Sequence, residues 1–226
     1  MTDIASIKES FKNKDLFTHA LTHKSWVNEN KGERESNERL EFLGDAVLEF
    51  VVSNELFVKF PKKEEGYLTA LRASIVNTVN LAAVAKKMQV GEVLFLSKGE
   101  EEGGGRENSS LLADTMEAII GAIFIDQGID TAYSFIVDNL LEDVDEKASG
   151  PLKDAKSRFQ EFVQSQGLPT PQYKVASESG PDHDKSFTVE AVVAGEVKGV
   201  GNGKSKSEAA QAAAEKALNN LVSDKL

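Results

Sequence analysis

Apolar residues recur at helical spacing through most of the first 143 positions and alternate in strand fashion only nearer the C-terminus. The spacing predicts helices over about 4–10, 15–20, 26–31, 36–58, 66–88, 90–95, 107–127 and 130–142. Lys98–Arg106, rich in Gly and Glu, reads as a flexible polar loop between two of them. Glu142–Pro151 runs polar, then small, then Gly-Pro, as a linker does. Beyond it the period changes. Leu152–Gln166 reads as a helix ended by Gly167 and Pro169. Tyr173–Ser177, Phe187–Val193 and Val197–Val200 read as strands, with Gly195 turning between the last two. Ser205–Val222 is an Ala-rich helix. The expectation is an all-α domain over 1–143, a linker over 144–151, and a small α+β domain of order α-β-β-β-α over 152–223.

Two of these helices are too apolar for a protein surface, yet both carry carboxylates. In Asn37–Phe50, Glu38, Glu41 and Asp45 are spaced i, i+3, i+7 and share one face. In Leu111–Ile125 the only charges are Asp114 and Glu117, again on one face. The bland reading is a solvated acidic face, the usual meaning of such a pattern. Against it stands the apolar character of both helices nearly all round. Gly44 and Gly121 lie beside the acidic faces, where a missing side chain lets another backbone approach closely. Arg39 and Arg72 are too few to neutralise the set. Clustered carboxylates raise one another's pKa unless a cation intervenes. Oxygen-only ligands select Mg²⁺, Mn²⁺ or Ca²⁺, and the Ca²⁺-loop pattern is absent. A pair of such ions could activate water against a phosphodiester.

Composition narrows the alternatives. The chain has no Cys, which excludes disulfides, thiolate metal sites and cysteine nucleophiles. His19, His23 and His183 are its only histidines, so a histidine-built zinc enzyme is disfavoured. His19 and His23 stand i, i+4, but without the Glu of HExxH they read as packing or capping residues. The start lacks a secretory pattern and no stretch reaches transmembrane length, so a cytoplasmic protein without membrane attachment is expected. Net charge is −11, but unevenly spread. Residues 1–150 hold 16 Lys and Arg against 27 Asp and Glu, whereas residues 151–226 hold ten of each. An acidic total therefore does not forbid a nucleic-acid partner, since local patches and bound cations set the local field.

Asn37-Glu38-Arg39-Leu40-Glu41-Phe42-Leu43-Gly44-Asp45 resembles the signature motif of the ribonuclease III family, and Leu111–Ala118 resembles its second acidic motif. His19–Ser25, Phe60-Pro61, Glu65-Gly66 and Leu71-Arg72-Ala73 fit the same family. The resemblance implies an all-α endonuclease domain, working as a homodimer, that hydrolyses double-stranded RNA with Mg²⁺ or Mn²⁺. It implies 5′-phosphate and 3′-hydroxyl products, and roles in processing ribosomal RNA precursors and structured transcripts. By it, Glu41, Asp45, Asp114 and Glu117 are metal ligands, Asp45 and Glu117 the foremost catalytic residues, and Glu38 and Glu65 auxiliary acids. The apolar surplus around Phe42 and Leu43 is compatible with a symmetric contact.

Gly199–Ser205 imitates a phosphate loop, but Gly199 and Gly203 are separated by three residues where that loop needs four. Nucleotide hydrolysis is therefore rejected; the segment reads as a glycine-rich turn entering a helix, with N–H groups to offer phosphate. Gly180-Pro181-Asp182-His183 and Gly203-Lys204-Ser205-Lys206, within the α-β-β-β-α order, resemble a double-stranded-RNA-binding domain. The resemblance implies that Gln160, Glu161 and His183 meet minor grooves, and that Lys204, Ser205 and Lys206 meet phosphates. Ser207 replaces a basic residue common in such domains, and Asp182 and Asp184 flank His183 with negative charge, which lowers the expected affinity. Two rival functions remain: a double-stranded-RNA-binding regulator with an inactive nuclease-like domain, and a structural helical protein. The first needs a lost acid, and none is lost; the second does not account for the C-terminal module.

Overall fold

Asn108 starts the most buried helix of the protein, its side chain accepting from the backbone N–H groups of Ser110 and Leu111. In the computed structural model, which describes residues 3–150, 152, 154–181 and 184–223, the chain divides into two units, 1–152 and 153–226. The first is helical: α1 (Ile4–Ser10), α2 (Lys14–Ala20), α3 (Lys24–Glu29), α4 (Glu38–Lys59), α5 (Glu65–Ile75), α6 (Thr78–Lys87), α7 (Lys98–Glu102), α8 (Ser109–Gln127), α9 (Ile129–Leu140) and α10 (Val144–Ser149). Helix α8 is buried on nearly every side, from Leu112 to Ile123, and α4 packs along it. An apolar helix with no exposed face must sit at the centre of a core, and the others wrap this pair.

Four expectations about the first unit are corrected. The helix expected over 66–88 is two helices. Asn77 separates them by capping both ends: its Oδ1 accepts from the Asn80 N–H, and its Nδ2 donates to the carbonyls of Ala73 and Ser74. Apolar periodicity runs through this break and so hides it. The supposed loop Lys98–Arg106 contains α7 and the start of a 3₁₀ turn (Gly105–Glu107). Ser97 Oγ caps α7 by accepting from the Glu100 N–H, and the Arg106 guanidinium donates to Glu101 and to the carbonyls of Gly91, Glu92 and Leu94. Part of the supposed linker is α10. It docks on unit 1 through buried Val144, a Tyr67 hydroxyl donating to the Ala148 carbonyl, and Lys147 donating to Asn80. The helix expected over 90–95 is a 3₁₀ turn, Val90–Val93.

The second unit has the expected order: α11 (Ala155–Ser165), β1 (Gln172–Ser179), β2 (Ser186–Val193), β3 (Glu196–Gly203) and α12 (Lys206–Ser223). The sheet is antiparallel in the order β1-β2-β3. Ala194 and Gly195 both have positive φ, as a two-residue hairpin turn requires. Phe159, Val163, Val189 and Val193 form the core with Ala209, Ala213 and Ala217 of α12. Here the glycine-rich segment acquires its meaning. Gly199, Gly201 and Gly203 lie in a strand, not in a turn, and at alternate positions they face α12. A Cβ at Gly201 would stand 2.1 Å from the Ala213 nitrogen, and one at Gly199 2.3 Å from the Ala213 carbonyl oxygen. The glycines and alanines together let strand and helix backbones touch.

Candidate active site and RNA-binding surface

Helices α4 and α8 cross where each has a glycine. A Cβ on Gly44 would lie 1.8 Å from the Glu117 carbonyl oxygen, and one on Gly121 2.3 Å from the Leu40 carbonyl oxygen. No other residue type permits this approach without moving a helix. The crossing brings Glu41 of α4 together with Asp114 and Glu117 of α8. One carboxylate oxygen from each lies within 4.8 Å of the others, and all three side chains are half-buried. Asp45, one turn beyond Glu41, is exposed and outside that trio, but its charge acts on both Glu41 and Glu117.

Burial raises the pKa of all three acids, and repulsion from neighbouring acids adds to it at the two glutamates. Glu117 is pushed up to about 7, first by burial, then by Asp45, Asp114 and Glu41. Burial also raises Glu41, with Asp114 and Glu38 adding to it, and raises Asp114 against the pull of His23 and Lys24. Arg72 does not relieve them, since it pairs with Glu49 at 3.1 Å and donates to Ser53 Oγ at 2.8 Å. Hard oxygen donors, close together and short of counter-charge, suit a small divalent cation.

Glu38 stands at the start of α4 in the opposite electrostatic state. Ser36 Oγ donates to it at 2.9 Å and Lys24 lies 3.3 Å away, which together lower its pKa. Glu65 is not in the trio. It accepts from Thr69 Oγ1 and lines a separate cavity of about 380 Å³ with Phe57, Lys63 and Arg72. Sequence reasoning missed Lys24 and Ser36, which orient Glu38, and buried Asn37, whose amide donates to the Ala20 carbonyl and ties α4 to α2. Lys24 and Asn37 stand inside the family-like segments and Ser36 just before one, but nothing in the pattern gave any of them a role. His23 caps α3 by accepting from the Ser25 N–H, and His19 Nε2 meets the Ser36 carbonyl at 2.9 Å, so both histidines brace the fold as expected.

In the second unit, Gln160 and Glu161 are exposed on α11. Lys204, Ser205 and Lys206 stand together where β3 passes into α12. Ser205 Oγ accepts from the Glu208 N–H while Glu208 accepts from the Lys204 N–H, a reciprocal cap. Lys206 Nζ lies 5.6 Å from the Phe187 ring centroid and Lys204 pairs with Asp184. His183 and Asp182 fall outside the described residues.

A helical unit with a buried acidic crossing, joined to an α-β-β-β-α unit, defines a nuclease carrying a duplex-RNA module, and comparison with known proteins supports each part. Residues 13–144 match the model described as Ribonuclease-III-like, and residues 155–221 the double-stranded RNA binding motif. Ribonuclease 3 of Bacillus licheniformis is 46% identical over 216 residues, covering 95% of this chain and 87% of the relative. Ribonuclease 3 of Caldanaerobacter subterraneus is 45% identical over 216 residues, covering 95% of each. The nuclease domain of ribonuclease III from Campylobacter jejuni superposes with a TM-score of 0.56 at 42% identity, over 63% of this chain and 97% of that one. A second structure of that domain, describing flexibility in a region involved in dimer formation, gives 0.55 at 44% identity, over 62% of this chain and 99% of that one. The chain belongs to the bacterial ribonuclease III family, the endoribonucleases specific for double-stranded RNA. Among the described residues, no single helix is long and apolar enough to cross a membrane.

Proposed function

We propose that the chain hydrolyses both strands of duplex RNA with Mg²⁺, Mn²⁺ substituting, and leaves 5′-phosphate and 3′-hydroxyl ends. The observation that carries this reading is the convergence of Glu41, Asp114 and Glu117 at the glycine crossing. These three would hold the cation, with Asp45 completing the set from its exposed side. When bound, the cation supplies charge stabilisation to the phosphodiester under attack. Glu117, pushed up to about 7 by burial and its acidic neighbours, would be the ligand that gains most from the cation's charge, and exposed Asp45 would reach it from solvent. Glu38, held by Ser36 and Lys24, and Glu65, in its own cavity, are the auxiliary acids. The first unit, residues 1–152, is the catalytic domain and the second, residues 153–226, the RNA-binding domain. Gln160, Glu161 and His183 address minor grooves, and Lys204, Ser205 and Lys206 address phosphates.

The enzyme acts as a homodimer. Phe42, Phe50 and Phe57 are 80%, 61% and 72% exposed, and their spacing puts them along one side of α4. A stripe of exposed aromatics marks an interaction surface. Its place of action is the cytoplasm, and its substrates include ribosomal RNA precursors and structured transcripts.

Incubating the full chain with a long duplex RNA tests the reading. Cleavage should require Mg²⁺ or Mn²⁺, stop in chelator, and yield ends that a kinase labels only after phosphatase treatment. Binding of duplex without cleavage at any Mg²⁺ concentration would instead make the protein a regulator that keeps the nuclease fold.

A further inference from the structure

The loop between β1 and β2 and the junction between β3 and α12 meet at one end of the sheet. The register requires it: β2 and β3 pair antiparallel with Phe187 opposite Gly203, so Asp184 and Lys204 leave the sheet side by side. Lys204 Nζ lies 2.5 Å from Asp184 Oδ1. Asp184 is held there by its backbone. Its N–H donates to the Pro181 carbonyl at 2.9 Å. Its own carbonyl oxygen comes 2.4 Å from where a Cβ at Gly180 would stand, an approach open only because that residue is a glycine, with φ +93°. Lys204 is fixed from the other side, its N–H donating to Glu208 at 2.7 Å. Residues 151–226 hold ten acids and ten bases, so the unit as a whole carries no net positive charge.

We infer that Asp184 sets the affinity of the RNA-binding unit: its carboxylate occupies the Lys204 ammonium as a phosphate oxygen would, and duplex RNA must displace it. The inference rests on the reading of Lys204 as a phosphate contact. A carboxylate and a phosphate offer the ammonium the same anionic acceptor, so the two compete for one cation. Once displaced, the carboxylate stays beside the RNA backbone and offsets part of the charge that Lys204 contributes. Binding is therefore weaker, and less steeply dependent on salt, than the number of lysines implies. The pair is exposed, so it is weak enough to be opened by a polyanion.

The test is duplex affinity against salt for the full chain. The probe is a duplex RNA longer than about 16 base pairs, in chelator so that nothing is cleaved. Lys204→Ala should weaken binding. Asp184→Asn should tighten it about two- to fivefold at low salt, the range open to an exposed ion pair. The same change should steepen the log–log salt slope by up to about one. In the Lys204→Ala background, Asp184→Asn should tighten binding clearly less, because only the repulsion between the carboxylate and the RNA backbone is then removed. If Lys204→Ala weakens binding but Asp184→Asn leaves affinity and slope alone, the inference fails and the phosphate reading stands. Equal tightening in both backgrounds also overturns it, since Asp184 then acts by general repulsion. If Lys204→Ala has no effect, the phosphate reading fails and takes the inference with it. Asp184→Ser, which also removes the charge, is run in parallel, and thermal melts verify that each variant keeps the fold; the two substitutions must agree for the inference to hold.

Discussion

Glu117 carries the largest electrostatic penalty of the acidic site, because it is the most deeply placed acid and has three others around it. Two predictions follow from that position. Glu117→Gln keeps the volume and removes the charge, so duplex binding should persist while cleavage falls by roughly 10² or more, several kcal/mol of charge stabilisation being lost. Single-turnover cleavage at saturating Mg²⁺ measures this, and near-normal turnover would make the residue peripheral. The second prediction concerns pH in the metal-free protein. With a folded pKa near 7 and an ordinary value of 4.5, the folded state binds the proton more tightly. Stability therefore falls as pH rises from about 4.5 to about 7 and stays reduced above that window. Glu117→Gln should remove this loss, on the order of 1 kcal/mol once solvent screening of a half-buried group is allowed for. Thermal melts of both proteins in chelator at pH 5 and pH 8 check the sign: the variant should gain on the wild type only at the higher pH, and Mg²⁺ should narrow the gap.

At the scale of elements, the crossing of α4 and α8 decides where the acids stand. An exposed helix glycine replaced by alanine gains up to about 1 kcal/mol. At Gly44 the added Cβ meets backbone at 1.8 Å, so the sign reverses. Gly44→Ala and Gly121→Ala should each destabilise by about 1–3 kcal/mol, as overpacking does, because the atoms met are carbonyls of the opposite helix rather than a side chain that could swing aside. Each should also weaken metal binding, since the helices can relieve the clash only by separating Glu41 from Asp114 and Glu117. Melting temperatures with and without Mg²⁺ test both points; a gain in stability with unchanged activity would refute the packing role.

At the scale of the whole molecule, the aromatic stripe of α4 and the division into two units have consequences of their own. If Phe50 and Phe57 lie in a dimer contact, Phe50→Asp with Phe57→Asp should give a folded monomer by sedimentation velocity with much reduced double-strand cleavage. A dimer of unchanged stability would move the interface elsewhere. The two units share no secondary-structure element, and α10 belongs to the first, so a truncation should follow Leu152 rather than precede α10. Residues 1–152 alone should retain Mg²⁺-dependent cleavage at low salt, because every acid of the site lies in them. Their cleavage should be weaker than that of the full chain at every salt concentration, because the second unit's phosphate contacts are lost, and the log–log salt slope of binding should be shallower.

The sequence by itself determined the helical unit, the α-β-β-β-α order and which two helices carry an acidic face, because amphipathic period, apolar helices and misplaced carboxylates are local signals. It also pointed to Gly44 and Gly121, whose cost within a helix needs a reason. It could not find the break at Asn77, since apolar spacing continues through a residue that caps both neighbours by hydrogen bonds. It took α10 for a linker because the segment's charge masks a few anchoring contacts, among them buried Val144 and the Tyr67 hydroxyl. It read Gly199–Gly203 as a turn because alternate glycines look like a flexible loop until an alanine face is laid against them. The tertiary structure alone decided that Glu41, Asp114 and Glu117 converge while Glu65 lines another cavity, and that Lys204 meets Asp184. Those facts depend on how two helices cross and how two strands register, distances between residues far apart in the chain that no local pattern encodes.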